Sequence, residues 1–150
     1  MTNGMVVAPQ PEAVETGLDI LRDGGNVVDA AIGAAFVQTV VDPQMCGIAG
    51  FGSMHLYLAD KGVHTCIDFH GRAPLATKPD MWEDLVEREC EDGFGFILEG
   101  RPNEIGYQCM TTPLTLKAFD QAMDRYGTRS LADVLIPCLL YTSPSPRDRG

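Results

Sequence analysis

The chain has 150 residues, of which 45% are apolar, 21% charged and 7% aromatic, the composition of a folded globular chain and not of a disordered or collagen-like one. With 11 Lys and Arg against 21 Asp and Glu, the net charge is −10. That balance provides no basic stripe for nucleic-acid phosphates and opposes adsorption to an anionic membrane.

No run reaches the roughly 18 uninterrupted apolar residues of a spanning helix. The best stretch, residues 27–41, is broken by Asp29 and Gln38. Met1-Thr-Asn-Gly lacks the basic and apolar regions of a signal peptide, so none is expected. The five cysteines are odd in number and include no Cys-x-x-Cys pair, which points to reduced thiols and not to a disulfide framework. Both features lean toward the cytoplasm, or toward a periplasmic or secreted setting should the N-terminus be truncated.

In chain order, Val6-Val7-Ala8 before Pro9 predicts an opening strand. Residues 11–22 carry Val14, Leu18 and Leu21 at helical spacing, with Glu12 and Glu15 near the positive helix end. Gly24 and Gly25 end this helix, and Asn26 caps a second one reaching about Val41. The second helix is rich in alanine and apolar nearly all round, which predicts deep burial and cover on more than one side. Ser53 to Ala59 and Val63 to Phe69 form a hairpin around Asp60-Lys61-Gly62. Residues 79–89 are expected as an amphipathic helix with Met81, Trp82, Leu85 and Val86 inward. Residues 92–110 read as irregular. Residues 113–126 form another helix, with Leu116, Phe119, Ala122, Met123 and Tyr126 on its face and Gly127 after it. Ser130 caps a last helix with Leu131, Val134 and Leu135 on one face. The expected class is α/β, with helices layered on a sheet.

The pattern changes at Cys138, where Ser-Pro-Ser-Pro follows and no period remains. Cys138 to Asp148 resembles a translated sequencing adaptor, the alternative being an ordinary disordered tail. The organisation expected is therefore residues 1–137 as the folded piece and residues 138–150 as a non-native tail.

Five stretches in register carry a family resemblance. They are Gly4-Met-Val-Val-Ala-Pro-Gln-Pro11; Gly17-Leu-Asp-Ile-Leu-Arg-Asp-Gly-Gly-Asn-Val-Val-Asp-Ala-Ala31; Val41-Asp-Pro-Gln-Met-Cys-Gly-Ile-Ala-Gly50; Asp68-Phe-His-Gly-Arg-Ala-Pro74; and Tyr126-Gly-Thr-Arg-Ser-Leu-Ala-Asp-Val-Leu135. On these the chain resembles the gamma-glutamyltransferase (gamma-glutamyltranspeptidase, glutathione hydrolase) family, in the N-terminal part of its large subunit. The resemblance implies an N-terminal nucleophile hydrolase fold, an αββα sandwich of which this chain is an incomplete part. It implies a precursor that cleaves itself, so that a small subunit from the same precursor is the partner. The new N-terminal Thr of that subunit attacks the gamma-glutamyl amide with its own amine as base. No catalytic residue is expected within this chain, and no cofactor; the alternatives to a gamma-glutamyl-transferring or -hydrolysing enzyme are a related acylase with a different acyl specificity or a non-catalytic binding module.

The resemblance also implies an Arg that pairs with the substrate carboxylate, at the position where this chain has His70. Arg72 lies two residues on, and residues i and i+2 of an extended strand share a face. Arg72 could therefore supply the bidentate fork, with His70 beside it. These two are the candidate substrate-binding residues. The bland alternative is a solvated Arg72 and a packed His70.

Cys46-Gly-Ile-Ala-Gly-Phe-Gly52 follows a helix and lacks the dinucleotide spacing, so close backbone packing is expected there and not a phosphate loop. His55, His64, Cys66 and His70 lack the tight ligand pairs of structural zinc sites, and no metal is expected. The acidic residues Glu83, Asp84, Glu87, Glu89, Glu91 and Asp92 read as a solvated face.

Overall fold

A computed structural model describes residues 4–140. Contacts divide it into two compact units, residues 4–70 with 114–140 and residues 71–113.

The first unit is built on four helices and a hairpin. Helix α1 (Pro11–Arg22) begins with proline at its first turn, where a missing N–H costs nothing. Its most buried residues are Ala13, Thr16 and Gly17, while Val14, Leu18 and Leu21 are only half-buried. Small residues at the contact let α1 lie close to its neighbour: a Cβ on Gly17 would sit 3.3 Å from the Ala30 carbonyl oxygen and 2.8 Å from a Val6 methyl. The chain then reverses at Gly24, whose φ of +87° is a conformation L side chains rarely adopt.

Helix α2 (Val27–Val41) starts with a full capping box. The Asn26 side chain accepts from the backbone N–H groups of Val28 and Asp29, and the Asp29 carboxylate accepts from Asn26 N–H. The expected burial of α2 is largely met, with Val28, Ile32, Phe36 and Val37 almost inaccessible. Val27 and Ala31 remain on an open edge.

Strands β1 (Ser53–Leu58) and β2 (Val63–Asp68) pair antiparallel in a register that sets His55 opposite Cys66 and Tyr57 opposite His64. Gly62, at φ +61°, makes the turn. Leu56 and Leu58 face the core, and Ser53, His55, Tyr57, His64, Cys66 and Asp68 face outward. Helix α3 (Thr115–Tyr126) contributes Phe119, whose ring meets Phe36 edge-on at 5.2 Å and Phe69 at 6.2 Å, tying α3 to α2 and to the end of the hairpin. Its inner face is Thr115, Ala118, Phe119, Ala122 and Met123; Leu116, expected inside, is half exposed because it lies one step round the helix. Helix α4 (Leu131–Leu140) is capped by Ser130, whose hydroxyl accepts from Asp133 N–H while Asp133 accepts from Ser130 N–H. It runs past Pro137, and buried Cys138 extends the stripe of Leu131, Val134 and Leu135. Of the proposed adaptor-like tail, residues 141–150 lie outside the described residues.

Two expectations fail. Residues 6–8 form no strand, because no segment among the described residues pairs with them; Val6 instead packs beside α1. Residues 79–89 are not a helix. They form a short 3-10 turn (Glu83–Leu85) and strand β3 (Val86–Glu89), which pairs antiparallel with β4 (Phe96–Leu98). All four residues of β3 are exposed, so its backbone pairing, shifted in register between Val86 and Arg88, defines it where side-chain pattern does not. These strands, and a cavity of about 650 Å³ lined by Met81, Trp82, Val86, Phe96, Leu98 and Asn103 among others, belong to the second unit.

Candidate functional site

The segment leaving β2 carries the candidate residue His70. Asp68 Oδ1 accepts from the His70 backbone N–H at 3.1 Å and lies 2.8 Å from ring Nδ1. The two contacts close a local loop that fixes the imidazole beside the Asp68 carboxylate. The backbone N–H of His70, and then its ring, hold the Asp68 carboxyl below its ordinary value. The Phe51 ring stands 5.4 Å from the imidazole, tilted by 34°. Phe51 arrives from the glycine-containing loop, where close packing is what the glycines permit. A Cβ on Gly50 would meet the Gly47 carbonyl oxygen at 2.9 Å, and one on Gly52 would meet the Phe69 ring at 3.1 Å. The loop follows α2 and leads into β1, as its sequence context suggested.

Arg72 belongs to the unit of residues 71–113, whereas His70 is the last residue of the first segment of the other. β2 ends at Asp68, so the strand alternation that suggested a shared face stops before His70. Arg72 is exposed, and its carbonyl oxygen accepts from Thr112 N–H at 2.9 Å in an isolated bridge. Gly71 makes this approach feasible, since a Cβ there would lie 2.1 Å from Thr111 Oγ1. An exposed guanidinium anchored through its backbone is free to offer its planar fork to a carboxylate.

The four residues weighed as a metal set do not converge. His70 is engaged with Asp68, while His55 and His64 meet each other across the hairpin with their Nε2 atoms 2.7 Å apart. Among the described residues, no group of three or more His, Cys, Asp or Glu side chains is placed to hold a metal ion. The acidic residues Glu83, Asp84, Glu87 and Glu89 are all exposed, on a 3-10 turn and a strand rather than a helix.

The residue that sequence reasoning undervalued is Asp29. It is fully buried, and its carboxylate accepts from Asn26 N–H, Thr128 N–H, Arg129 N–H and the Thr128 hydroxyl. The Asn26 amide in turn donates to the Tyr126 carbonyl oxygen at 2.7 Å. Together they bind the start of α2 to the α3–α4 connection. The signal was present in the Asn-x-x-Asp spacing of the capping box. Burial alone pushes this carboxyl up, but the bonds from Thr128, Asn26 and Arg129 outweigh it and hold it below its ordinary value. Its role is structural.

No helix among the described residues is long and apolar enough to cross a membrane. Comparison with known proteins extends the picture. The chain is 40% identical over 138 residues to the acylase ACY 1 proenzyme of Pseudomonas sp. (strain V22), covering 92% of this chain and 24% of that protein. It is 36% identical over 137 residues to the glutathione hydrolase proenzyme of Bacillus subtilis (strain 168), covering 91% of this chain and 22% of that one. The chain thus spans about a quarter of the length of these curated relatives. Its structure is similar to that of Helicobacter pylori gamma-glutamyltranspeptidase, with a TM-score of 0.76 and 28% identity over 93% of this chain and 38% of the other. The helices and hairpin are accordingly a partial N-terminal nucleophile hydrolase fold. The profile described as Gamma-glutamyltranspeptidase matches residues 13–143, and on that span, with the fold in agreement, the chain belongs to the gamma-glutamyltranspeptidase family.

Proposed function

We propose that this chain is part of the large subunit of an enzyme that transfers or hydrolyses the gamma-glutamyl group of glutathione and related amides. The nucleophile is a Thr outside these residues, exposed at the N-terminus of a small subunit cut from the same precursor. The observation that carries the reading is the family match over residues 13–143, supported by relatives that are proenzymes. Arg72 supplies the fork for the substrate carboxylate, and His70, oriented by Asp68, stands in the segment that leads to it. In the covalent step the Thr hydroxyl attacks the amide carbonyl, its amine accepts the proton, and the amine of the leaving group departs protonated. The acyl group then passes to water or to an amino-acid acceptor. The five cysteines are free, which supports a reducing compartment, the cytoplasm.

A second reading has its own support: an acylase of the same mechanism with a different acyl group. It is favoured by His70 at the position where the family resemblance implies Arg, and by the similarity to an acylase proenzyme. The two readings separate on substrate. Gamma-glutamyl and glutaryl amides share a terminal carboxylate, and only the former has an alpha-amine. The longer protein carrying this sequence is to be assayed on gamma-glutamyl, glutaryl and simple acyl anilides. Faster turnover of the gamma-glutamyl anilide supports the first reading. Preference for either of the others supports the second, and turnover of none refutes both. The 150-residue chain by itself is expected to be inactive on all three.

A further inference from the structure

We propose that the first turn of α3, with the Thr115 hydroxyl and the glycine-containing loop facing it, binds a carboxylate of the substrate; the assignment rests on the acyl-transfer reading above. The turn leaves its donors unpaired. The residue before it is Leu114, so no side chain caps it, and none of its own residues is acidic. The N–H groups of Thr115, Leu116 and Lys117 meet no acceptor among the described residues; the first backbone bond runs from Ala118 N–H to the Leu114 carbonyl oxygen. Such a helix end favours an anion, because its free N–H groups and the aligned peptide dipoles present positive charge.

Thr115 points to the occupant. It is only 6% exposed, and its hydroxyl has no hydrogen-bond partner among the described residues. Its burial comes from this chain's own packing, since it lies on the inner face of α3 with Ala118 and Phe119. A buried hydroxyl left unpaired is costly, so the position calls for an acceptor. Its Oγ1 lies 3.9 Å from where a Cβ on Gly50 would stand, and Gly50, lacking one, leaves room beside it. The same corner holds the segment of His70. Phe69 N–H donates to the Gly52 carbonyl oxygen at 3.0 Å, the Phe69 ring meets Phe119 of α3, and the Phe51 ring stands 5.4 Å from the His70 imidazole. Where the family resemblance implies Arg, this chain has an imidazole tied to Asp68. A hydroxyl and three backbone N–H groups hold a carboxylate with neutral, pre-positioned donors instead. Lys117 adds a cation on the same turn. The net charge of −10 opposes any anion that lacks such local donors.

The test uses the longer protein that carries this sequence, as the parent and as Thr115→Val, Thr115→Ser and Lys117→Glu. The probes are butyryl anilide, gamma-glutamyl anilide and gamma-glutamylglycine, which carry no carboxylate, one on the acyl side, and one on each side of the amide. KM is measured, or Kd by calorimetry for any amide that is not turned over. Thr115→Val keeps the shape and removes the hydroxyl, so it should weaken gamma-glutamylglycine about tenfold and leave butyryl anilide within about twofold. An equal loss with gamma-glutamyl anilide assigns the site to the acyl-side carboxylate, and no loss there assigns it to the leaving-group side. Thr115→Ser should stay near the parent. Lys117→Glu, which alters no buried group, should reproduce the selective loss, and it applies the same criterion should Thr115→Val fail to fold. Gamma-glutamylglycine bound equally with and without the hydroxyl, or not bound at all, overturns the proposal, as does an equal loss for all three amides. Binding that depends on Thr115 without turnover of any amide upholds the site and refutes the acyl-transfer reading alone.

Discussion

Removing the Asp29 carboxylate tests how the first unit is held together. Asp29→Ala takes the acceptor from three backbone N–H groups, those of Asn26, Thr128 and Arg129, and from the Thr128 hydroxyl. A buried donor left unsatisfied costs about 1–3 kcal/mol. The three amides are partly buried, so the lower end applies to each, and the sum is about 3 kcal/mol. A single domain is stable by only about 5–15 kcal/mol, so this is a large fraction. Asp29→Asn keeps one acceptor oxygen and is expected to lose about half as much. Thr128→Val removes a single hydroxyl donor and is expected to lose about 1 kcal/mol. Urea unfolding followed by far-UV circular dichroism measures all three through the midpoint at constant slope. A midpoint for Asp29→Ala within about 1 kcal/mol of the parent would refute the reasoning, since the amides would then have found other partners. The pH dependence adds a signed check. The folded-state value of Asp29 lies below the ordinary 3.8, so its contribution is full above that pH and is lost as the pH falls through the folded value. Asp29→Asn should lack this component of acid destabilisation.

Further outcomes follow from the same structure. Phe36→Ala removes a ring that is 1% exposed and stacked edge-on against Phe119, and should cost about 3–5 kcal/mol by urea unfolding. Gly24→Ala, at φ +87° with open space around it, should cost about 1–2 kcal/mol through backbone strain alone. In the longer enzyme, Arg72→Ala should raise KM for a carboxylate-bearing amide about 10- to 100-fold, because a charge-assisted bond contributes about 1.5–3 kcal/mol. An unchanged KM would mean that the carboxylate is read elsewhere or is absent from the substrate.

The parts of the fold legible in the sequence are those set by local chemistry. Gly24 and Gly62 occupy left-handed conformations, Asn26 and Ser130 cap their helices, and proline opens α1. Errors arose where a partner distant in sequence decides. Residues 79–89 have apolar residues at a spacing that imitates a helix, yet pairing with β4 makes residues 86–89 a strand. Residues 6–8 have strand composition but no strand partner among the described residues. The site was legible in the same uneven way. His70 stood out only against the family motif, and its tie to Asp68 depends on how the chain turns after β2. The meeting of His55 with His64 depends on hairpin register, which linear ligand spacing does not encode. Asp29 was visible as an interruption in an apolar helix, but its two partner residues after α3, Thr128 and Arg129, were not.

The central claim is that these residues are one portion of a precursor that divides itself to expose its nucleophile. Intact-mass analysis of the longer protein, purified without added protease, tests it most directly. The account predicts two polypeptides, one carrying the sequence described here and the other beginning with Thr, and a single uncut chain once that Thr is replaced by Ala. A wild-type protein that remains one polypeptide while turning over a gamma-glutamyl anilide would contradict it.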